Sequence, residues 1–388
     1  MMHFILTITQ IIAAVGIVSS SLYYLLCLWG ASKFIAERKA GARSAHAFPP
    51  VSILKPLKGT DPEIYESFRS HCRQDYPEYE IIFGVSDPND AAIESVTALQ
   101  REFPDRGIRL LRCPTILGAN VKVSNLAQMT TEARYDHIVV NDSDIRVEPD
   151  YLRRVIAPLS DSQTGMVTCL YRGVAAATLG SRMEALGIST DFCAGVLVAR
   201  QLEGGIHFGL GSTLVFRCAE LEKIGGFASI VNHLADDYEL GKRIADLGLA
   251  VRLSDVVVET YLPAYDVLDF FAHQLRWARG VRDARAGGYF GLAFTFGILW
   301  ALLAVAASGG ALWSWGALAS TVFLRFAVAL AVGWKVLQDR QVLTYVWMIP
   351  LRDLVAVVVW IVSLGGHTVT WRGDQFKLRD GKLTRVDS

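Results

Sequence analysis

The sequence has no net charge: 38 Lys and Arg residues balance 38 Asp and Glu. With no surplus of either sign, there is no global electrostatic case for a nucleic-acid partner or an acidic one. Cysteine is scarce, six in 388 residues. Cys27, Cys72, Cys113, Cys169, Cys193 and Cys218 are scattered, with no CxxC pair and no Cys–His spacing of a zinc site. That argues against a disulfide framework and suits a catalytic part kept in a reducing compartment. No Lys or Arg precedes the first apolar run and no small-residue cleavage site is evident, so a cleaved signal peptide is disfavoured. There is no internal repeat or low-complexity tract, and no Ser-His-Asp or Cys-His arrangement for covalent catalysis.

What the chain does have is apolar length, at 52% hydrophobic residues. Residues 4–30 are long enough to span a bilayer, and Lys33, Arg38, Lys39 and Arg43 follow closely. The positive-inside rule places the N-terminus outside and residue 33 onward in the cytosol. After residue 288 the chain turns apolar again. Residues 290–308 and 316–334 each read as a span, joined by a loop whose Trp313 and Trp315 suit an interfacial belt. The last apolar block, 341–365, is interrupted by Pro350, Arg352 and Asp353 and followed by a basic tail. A full crossing there would carry the tail outside, so a re-entrant or interfacial pair is favoured, with Arg352 and Asp353 neutralising each other.

Between the apolar ends the pattern changes. "VSILKPL" (51–57), "YEIIFGVSD" (79–87), "IRLLRCP" (108–114), "HIVVNDSD" (137–144) and "GMVTCLY" (165–171) are short apolar runs that break into polar loops. Helix-like stretches such as 61–74 and 89–102 separate them. Strands alternating with helices predict an α/β domain with a mainly parallel sheet. Such sheets bind ligands at the carboxyl ends of their strands. The expected layout is a transmembrane anchor over 1–31, a linker over 32–48 and an α/β catalytic domain over 49–265. An amphipathic interfacial helix follows over 266–288, then membrane helices over 289–366 and a cytosolic tail over 367–388.

Carboxylates stand where such a sheet presents its chemistry. Asp87 follows one predicted strand, with Pro88 forcing the turn, and Asp142 and Asp144 end another. Asp236 and Asp237 precede a helical stretch over 238–247, where the alternative role is capping the helix. An Asp-x-Asp at a strand end suits Mg²⁺ or Mn²⁺ shared with a diphosphate, since these cations take one or two carboxylates plus phosphate oxygens. The cation would offset charge building on a leaving diphosphate. Further on, Arg276, Arg279, Arg282 and Arg285 recur every third residue among Phe270, Phe271, Leu275 and Trp277. This reads as a basic amphipathic helix on anionic headgroups, from which Arg276 can still reach a phosphate.

The order Asp87, Asp142, Asp237, then "HQLRW", resembles the D, D, D, (Q/R)xxRW signature of membrane-bound inverting GT-A glycosyltransferases, and specifically the ceramide glucosyltransferase family. The stretches "SILKPLKGTDP", "SDPND", "DSDIRV", "GSTLVFR" and "WRGDQFKLRDG" are similar to that family as well. The resemblance implies a GT-A fold, Rossmann-like, with the membrane segments attached. It implies that Asp87 contacts the uracil or ribose of a UDP-sugar, and that Asp142 and Asp144 hold Mn²⁺ or Mg²⁺ and the diphosphate. Asp237 becomes the general base, with Asp236 the alternative. Arg276 and Trp277 close the donor site, and Lys55 and Lys122 are further donor-site candidates. His273 stands where the family has Gln or Arg, so its grip on phosphate would vary with pH. His207, in the 187–215 region, is an acceptor-side candidate. The implied activity is transfer of a hexose to a lipid hydroxyl, ceramide first. The alternative acceptor is a hopanoid polyol receiving N-acetylglucosamine, in a bacterial inner membrane. A processive polysaccharide synthase would need more spans, and a non-catalytic nucleotide-sugar scaffold would not need this full set of residues.

Overall fold

The computed structural model describes residues 1–40, 48–371 and 374–386. The central sheet has eight strands: β1 (Val51–Leu57), β2 (Tyr79–Val85), β3 (Gly107–Arg112), β4 (His137–Val140), β5 (Ile145–Arg146), β6 (Thr164–Val174), β7 (Leu214–Arg217) and β8 (Ala250–Tyr261). Their order is β3-β2-β1-β4-β7-β6-β8-β5. β1 and β2 are buried at every position, as interior strands covered on both faces must be. The β3-β2-β1-β4 half is parallel. Beyond it the sheet is mixed, because β7 pairs antiparallel with both β4 and β6, and β5 antiparallel with β8. That reversal positions the site. Val140, the last residue of β4, pairs with Leu214, the first of β7. The loop entering β7 therefore lies beside the chain leaving β4.

The N-terminal helix runs from Met2 to Lys39, past the expected end of the anchor at 31 and into the segment expected to be linker. Residues 41–47 of that expected linker lie outside the described residues. The helix is about 57 Å long at 1.5 Å per residue. Among the described residues, three helices are long and apolar enough to cross a membrane: Met2–Lys39, Leu312–Val336 and Gln341–Ser363. The segment Ala286–Thr295 with Gly297–Ala307 is bent by 49°. Along the N-terminal helix, Gln10 Nε2 donates to Ala307 O at 2.8 Å, Tyr24 Oη to Thr295 O at 3.3 Å, and Arg38 Nη2 to Val336 O at 2.7 Å. Gly16 faces Trp300 so closely that a Cβ would stand 2.2 Å from the indole, so only glycine lets these helices meet.

Two expectations are corrected here. Asp353 does not neutralise Arg352. It pairs with Arg325 of the preceding long helix at 2.7 Å, while Arg352 turns to Gln274 and Asp191. A one-residue neighbour on a helix points about 100° away, so adjacent charges face different partners. The basic stripe is largely spent inside the protein. Arg279 donates to Thr368 O at 2.6 Å and Gly365 O at 3.0 Å; Arg282 donates to Ser363 O and to Gly366 O; Arg285 pairs with Glu203. Arg279 and Arg282 thus cap the carboxyl end of helix Ile349–Ser363, where free carbonyls and the helix dipole favour cations.

The tail is also ordered. β9 (Thr368–Trp371), β10 (Asp374–Arg379) and β11 (Lys382–Arg385) form an antiparallel sheet. It docks on the catalytic unit: Leu383 N donates to Asn232 O at 2.6 Å, Leu234 N to Gly381 O at 3.1 Å, and Lys58 pairs with Asp374 at 3.6 Å.

Candidate active site

At the end of β4 the side chain of Asn141 sets the local geometry. Its Nδ2 donates to Ser212 O at 2.7 Å and to Tyr151 Oη at 2.9 Å, and its Oδ1 lies 3.3 Å from His71 Nε2. All four residues are buried, and burial holds His71 neutral, well below its ordinary pKa. This network fixes Asp142 against the loop 209–213. On the other side of that loop, helix Asp236–Asp246 comes close because Gly241 has no side chain; a Cβ there would stand 2.3 Å from Gly209 N.

The result is a convergence on Gly211. A methyl group at Gly211 would lie 3.3 Å from both Asp142 Oδ2 and Asp237 Oδ2. Asp237 accepts from Gly211 N at 2.7 Å and from Tyr238 N at 2.8 Å. Burial first, then neighbouring Asp236, push its pKa up to about 6, with Lys122 opposing. Asp236 differs. It is buried, pairs with Lys122 at 3.2 Å and accepts from Asn120 Nδ2 at 3.5 Å. Asn120 caps helix Val121–Thr131 through Val123 N, which seats Lys122 in the first turn.

Lys122 bridges the acidic groups, at 2.8 Å from Asp142 Oδ1 and 3.2 Å from Asp236 Oδ2. Burial works against its charge, but Asp142 and Asp236 outweigh it and hold the ammonium above its usual range. Lys55 lies beneath, fully buried, and donates to Asp142 O at 2.9 Å. Desolvation pulls its pKa down to about 7 despite Asp144 and Asp142 nearby. Asp144 accepts from Thr260 Oγ1, and burial followed by Asp142 raises it to about 6. Ser143 Oγ donates to Asp61 Oδ2 at 2.5 Å, which adds a further carboxylate.

The HQLRW segment lies on helix Val267–Ala284. Trp277 meets Phe192 edge-on with centroids 5.9 Å apart, and His273 stacks on Tyr265 at 5.3 Å with its Nδ1 3.4 Å from Glu184 Oε1. Tyr265 is pushed up to about 12 by burial and Glu184, with Arg276, Asp144 and Asp61 also acting on it. Arg276 and the carboxylate cluster thus share one electrostatic neighbourhood.

The structure therefore brings together Asp142, Asp144, Asp236, Asp237, Lys55 and Lys122, with Arg276 nearby and Trp277 and His273 on an adjoining wall. Two further expected site residues are exposed to solvent. Asp87 is exposed after β2 and accepts from Asn89 N at 2.9 Å, closing its own turn. His207 is exposed, its Nε2 3.3 Å from Glu203 O, while its neighbour Phe208 stacks on Tyr238 at 6.2 Å. Sequence reasoning passed over Asn141, Gly211, Thr260, Asp61 and Glu184. Gly211 and Asp61 carried a signal, since both lie in motif stretches quoted above.

No group of three or more His, Cys, Asp or Glu side chains among the described residues is arranged to cage a metal. The donor set fits a shared cation instead. Asp142 and Asp144 offer only carboxylate oxygens, and Asp144, raised first by burial and then by the Asp142 charge, would be held ionised by a cation.

A mixed α/β sheet with this cluster at the carboxyl ends of β1 and β4 is the architecture of a GT-A glycosyltransferase. A mannosyltransferase from Pyrobaculum calidifontis, solved in complex with GDP-Man and Mn²⁺, has the same fold: TM-score 0.52, 19% identity, covering 91% of this chain and 99% of that one. The chain belongs to glycosyl transferase family 21, whose sequence profile matches residues 11–384. Ceramide glucosyltransferase 1 of Caenorhabditis elegans is 23% identical over 353 residues, 87% of this chain and 73% of the relative. The ceramide glucosyltransferase of Komagataella phaffii is 34% identical over 161 residues, 39% of this chain and 31% of that relative.

Proposed function

We propose that this glycosyltransferase moves a hexose from a UDP-sugar to a hydroxyl of a membrane lipid, ceramide first among acceptors, with inversion at the sugar carbon. The observation that carries it is the convergence of Asp142 and Asp237 on Gly211. One carboxylate belongs to the donor-side Asp-x-Asp; the other is oriented by two backbone amides. Inversion needs one base on the face opposite the leaving group. Asp237 fits that role, because a carboxyl raised to about 6 is ionised at neutral pH yet more basic than an exposed aspartate. Asp236 fits less well, since Lys122 and Asn120 already engage its oxygens.

Lys122, Lys55 and Arg276 supply positive charge for a departing diphosphate. A diphosphate close to Lys55 would favour its charged form. Asp142 and Asp144 would hold Mn²⁺ or Mg²⁺, which when bound neutralises charge on the leaving group. Trp277, braced by Phe192, walls the sugar side. The apolar helices tied to the domain support a lipid acceptor, as do the ceramide glucosyltransferase relatives.

The test is UDP release by purified protein in lipid nanodiscs with Mn²⁺. UDP-glucose, UDP-galactose and UDP-N-acetylglucosamine are each paired with ceramide or a hopanoid tetrol. Turnover should require ceramide and fall about a thousandfold in Asp237→Asn, with UDP still bound. Turnover indifferent to that substitution, or to the lipid, would refute the proposal.

A further inference from the structure

Glu184 lies buried on helix Leu179–Gly187, 1% exposed. Its Oε2 accepts from Gln274 Nε2 at 2.7 Å, and its Oε1 lies 3.4 Å from His273 Nδ1. The other end of the Gln274 amide faces a cation, because Arg352 Nη2 donates to Gln274 Oε1 at 3.4 Å. Arg352 is 6% exposed and comes from helix Ile349–Ser363. Gly187 leaves it room; a Cβ there would stand 2.5 Å from its Nη2.

For stability alone this is a poor arrangement. Burying an ion is costly, and the cost is best offset when opposite charges touch. Glu184 pairs with His273 and Arg352 with Asp191; the two do not pair with each other among the described residues. Each instead meets one end of a neutral amide. That amide has a donor end and an acceptor end, so the anion and the cation together fix which way it points. Two elements thus grip Gln274, helix Leu179–Gly187 and helix Ile349–Ser363.

The same carboxylate stands behind the donor wall. The rings of Tyr171, Phe192, Trp277, His273 and Tyr265 follow one another with centroids 5.5, 5.9, 5.7 and 5.3 Å apart. Glu184 meets this arc at His273, and its charge reaches both end rings. Burial, then Cys193, Asp237, Glu184 and Asp142, push the Tyr171 phenol well above its usual range. Burial, then Glu184, raise Tyr265 to about 12.

At about 100° per residue, His273, Gln274, Arg276 and Trp277 share one side of their helix, within an arc of about 160°. A rotation of about 10° about the helix axis moves a side chain about 6 Å from that axis by about 1 Å. A shift of that size at a reacting group can lower a rate about a hundredfold. We propose that Glu184 is a positioning residue: through Gln274, whose far end Arg352 holds, it sets the rotation of helix Val267–Ala284 and so where Arg276 and Trp277 meet the donor. The proposal rests on the donor-site reading above.

Its test is calorimetric UDP affinity with Mn²⁺, on the full chain in nanodiscs, beside turnover of UDP-glucose with ceramide. Gln274→Glu sets two carboxylates face to face, and Glu184→Gln removes the charge that orients the amide. Each alone should weaken UDP binding at least about fivefold and lower kcat at least about tenfold. The exchange Glu184→Gln with Gln274→Glu reverses the pair but keeps its bonds. The amide then donates from helix Leu179–Gly187, and the carboxylate accepts from it and from Arg352. Exchange should return UDP affinity to within about twofold of wild type and kcat to within about threefold. In an Arg276→Ala, Trp277→Ala background, Glu184→Gln should change the UDP Kd by less than about twofold, because Glu184 acts through those side chains. A role in folding alone would lower the melting temperature of Glu184→Gln and leave Kd and kcat of the folded protein unchanged. That result, or an exchanged pair no better than the worse single variant, would overturn the proposal. If one single variant fails to fold, the other and the exchanged pair still decide it. Wild-type protein that binds no UDP would sink the donor reading itself, a result distinct from UDP binding that ignores Glu184.

Discussion

Two backbone amides, one of them that of Gly211, hold the Asp237 carboxyl close to Asp142, and this fixes what single substitutions should do. If Asp237 is the base, activity follows its ionised fraction. Its folded pKa lies near 6, above the ordinary value, so log kcat/KM should rise with unit slope below pH 6 and level off above it. A flat profile from pH 5 to 7 would exclude it. Gly211→Ala places a methyl 3.3 Å from both Asp142 and Asp237, into space a substrate hydroxyl would need. We expect kcat to drop at least about tenfold with thermal stability within about 1 kcal/mol of wild type. A fully active variant would show that nothing passes between those carboxylates. Asp142, Asp144, Asp236 and Asp237 stood out in the sequence, because strand ends and helix starts are where α/β chemistry resides, whereas Lys122 came only from the family resemblance. Asn141 and Thr260 were not, and Gly211 was legible only as part of a motif stretch, because their roles depend on pairings of β7 and β8 that no local pattern announces.

At the scale of elements, helix Val267–Ala284 shows how periodicity can be read correctly and its partner misread. The stripe of arginines does share a face, but the face meets the carboxyl end of a helix some eighty residues later in the chain. Spacing reports which side chains align; it says nothing about what arrives to cover them. Arg282 is 8% exposed and its guanidinium joins Ser363 O, Gly366 O and His367. Arg282→Ala should cost about 2–3 kcal/mol and expose β9–β11 to limited proteolysis. Were Arg282 free on headgroups, the same change would instead weaken vesicle binding and leave the fold intact. Phe192→Ala, which removes the brace from Trp277, should lower kcat more than it raises the donor KM. Equal stability and unchanged kcat would show that the indole needs no support.

For the molecule as a whole, the contacts along the N-terminal helix order the membrane block. Residues 10, 16 and 24 meet 307, 300 and 295 in turn, and Arg38 meets Val336. Helix Leu312–Val336 therefore returns toward the catalytic sheet. The contacts of Gln341–Ser363 stay at that end: Asp353 on Arg325, Trp360 on Tyr289 O at 3.0 Å, Ser363 on Arg282. We infer two crossings after the catalytic domain, with Gln341–Ser363 lying along the surface and the tail on the catalytic side. Single cysteines in a Cys218→Ser background test this, the other native thiols being buried. Lys39→Cys and Lys377→Cys should react with an impermeant maleimide from the same side, and Gly309→Cys from the other; reaction of Lys377→Cys together with Gly309→Cys would reverse the arrangement. The sequence carried the anchor and the hairpin through hydropathy. It did not carry the tail sheet, whose short polar strands look like any basic tail until they meet the domain.

That docked sheet imposes an order on birth. The backbone just ahead of Asp236 is braced by β11 through Asn232 and Leu234. The ribosome releases that loop long before it makes β11, and the membrane hairpin must be inserted in the interval. The nascent chain thus carries the Asp236–Asp237 pair behind an unbraced loop until translation is nearly done, and completes that brace only after its long apolar helices have been made.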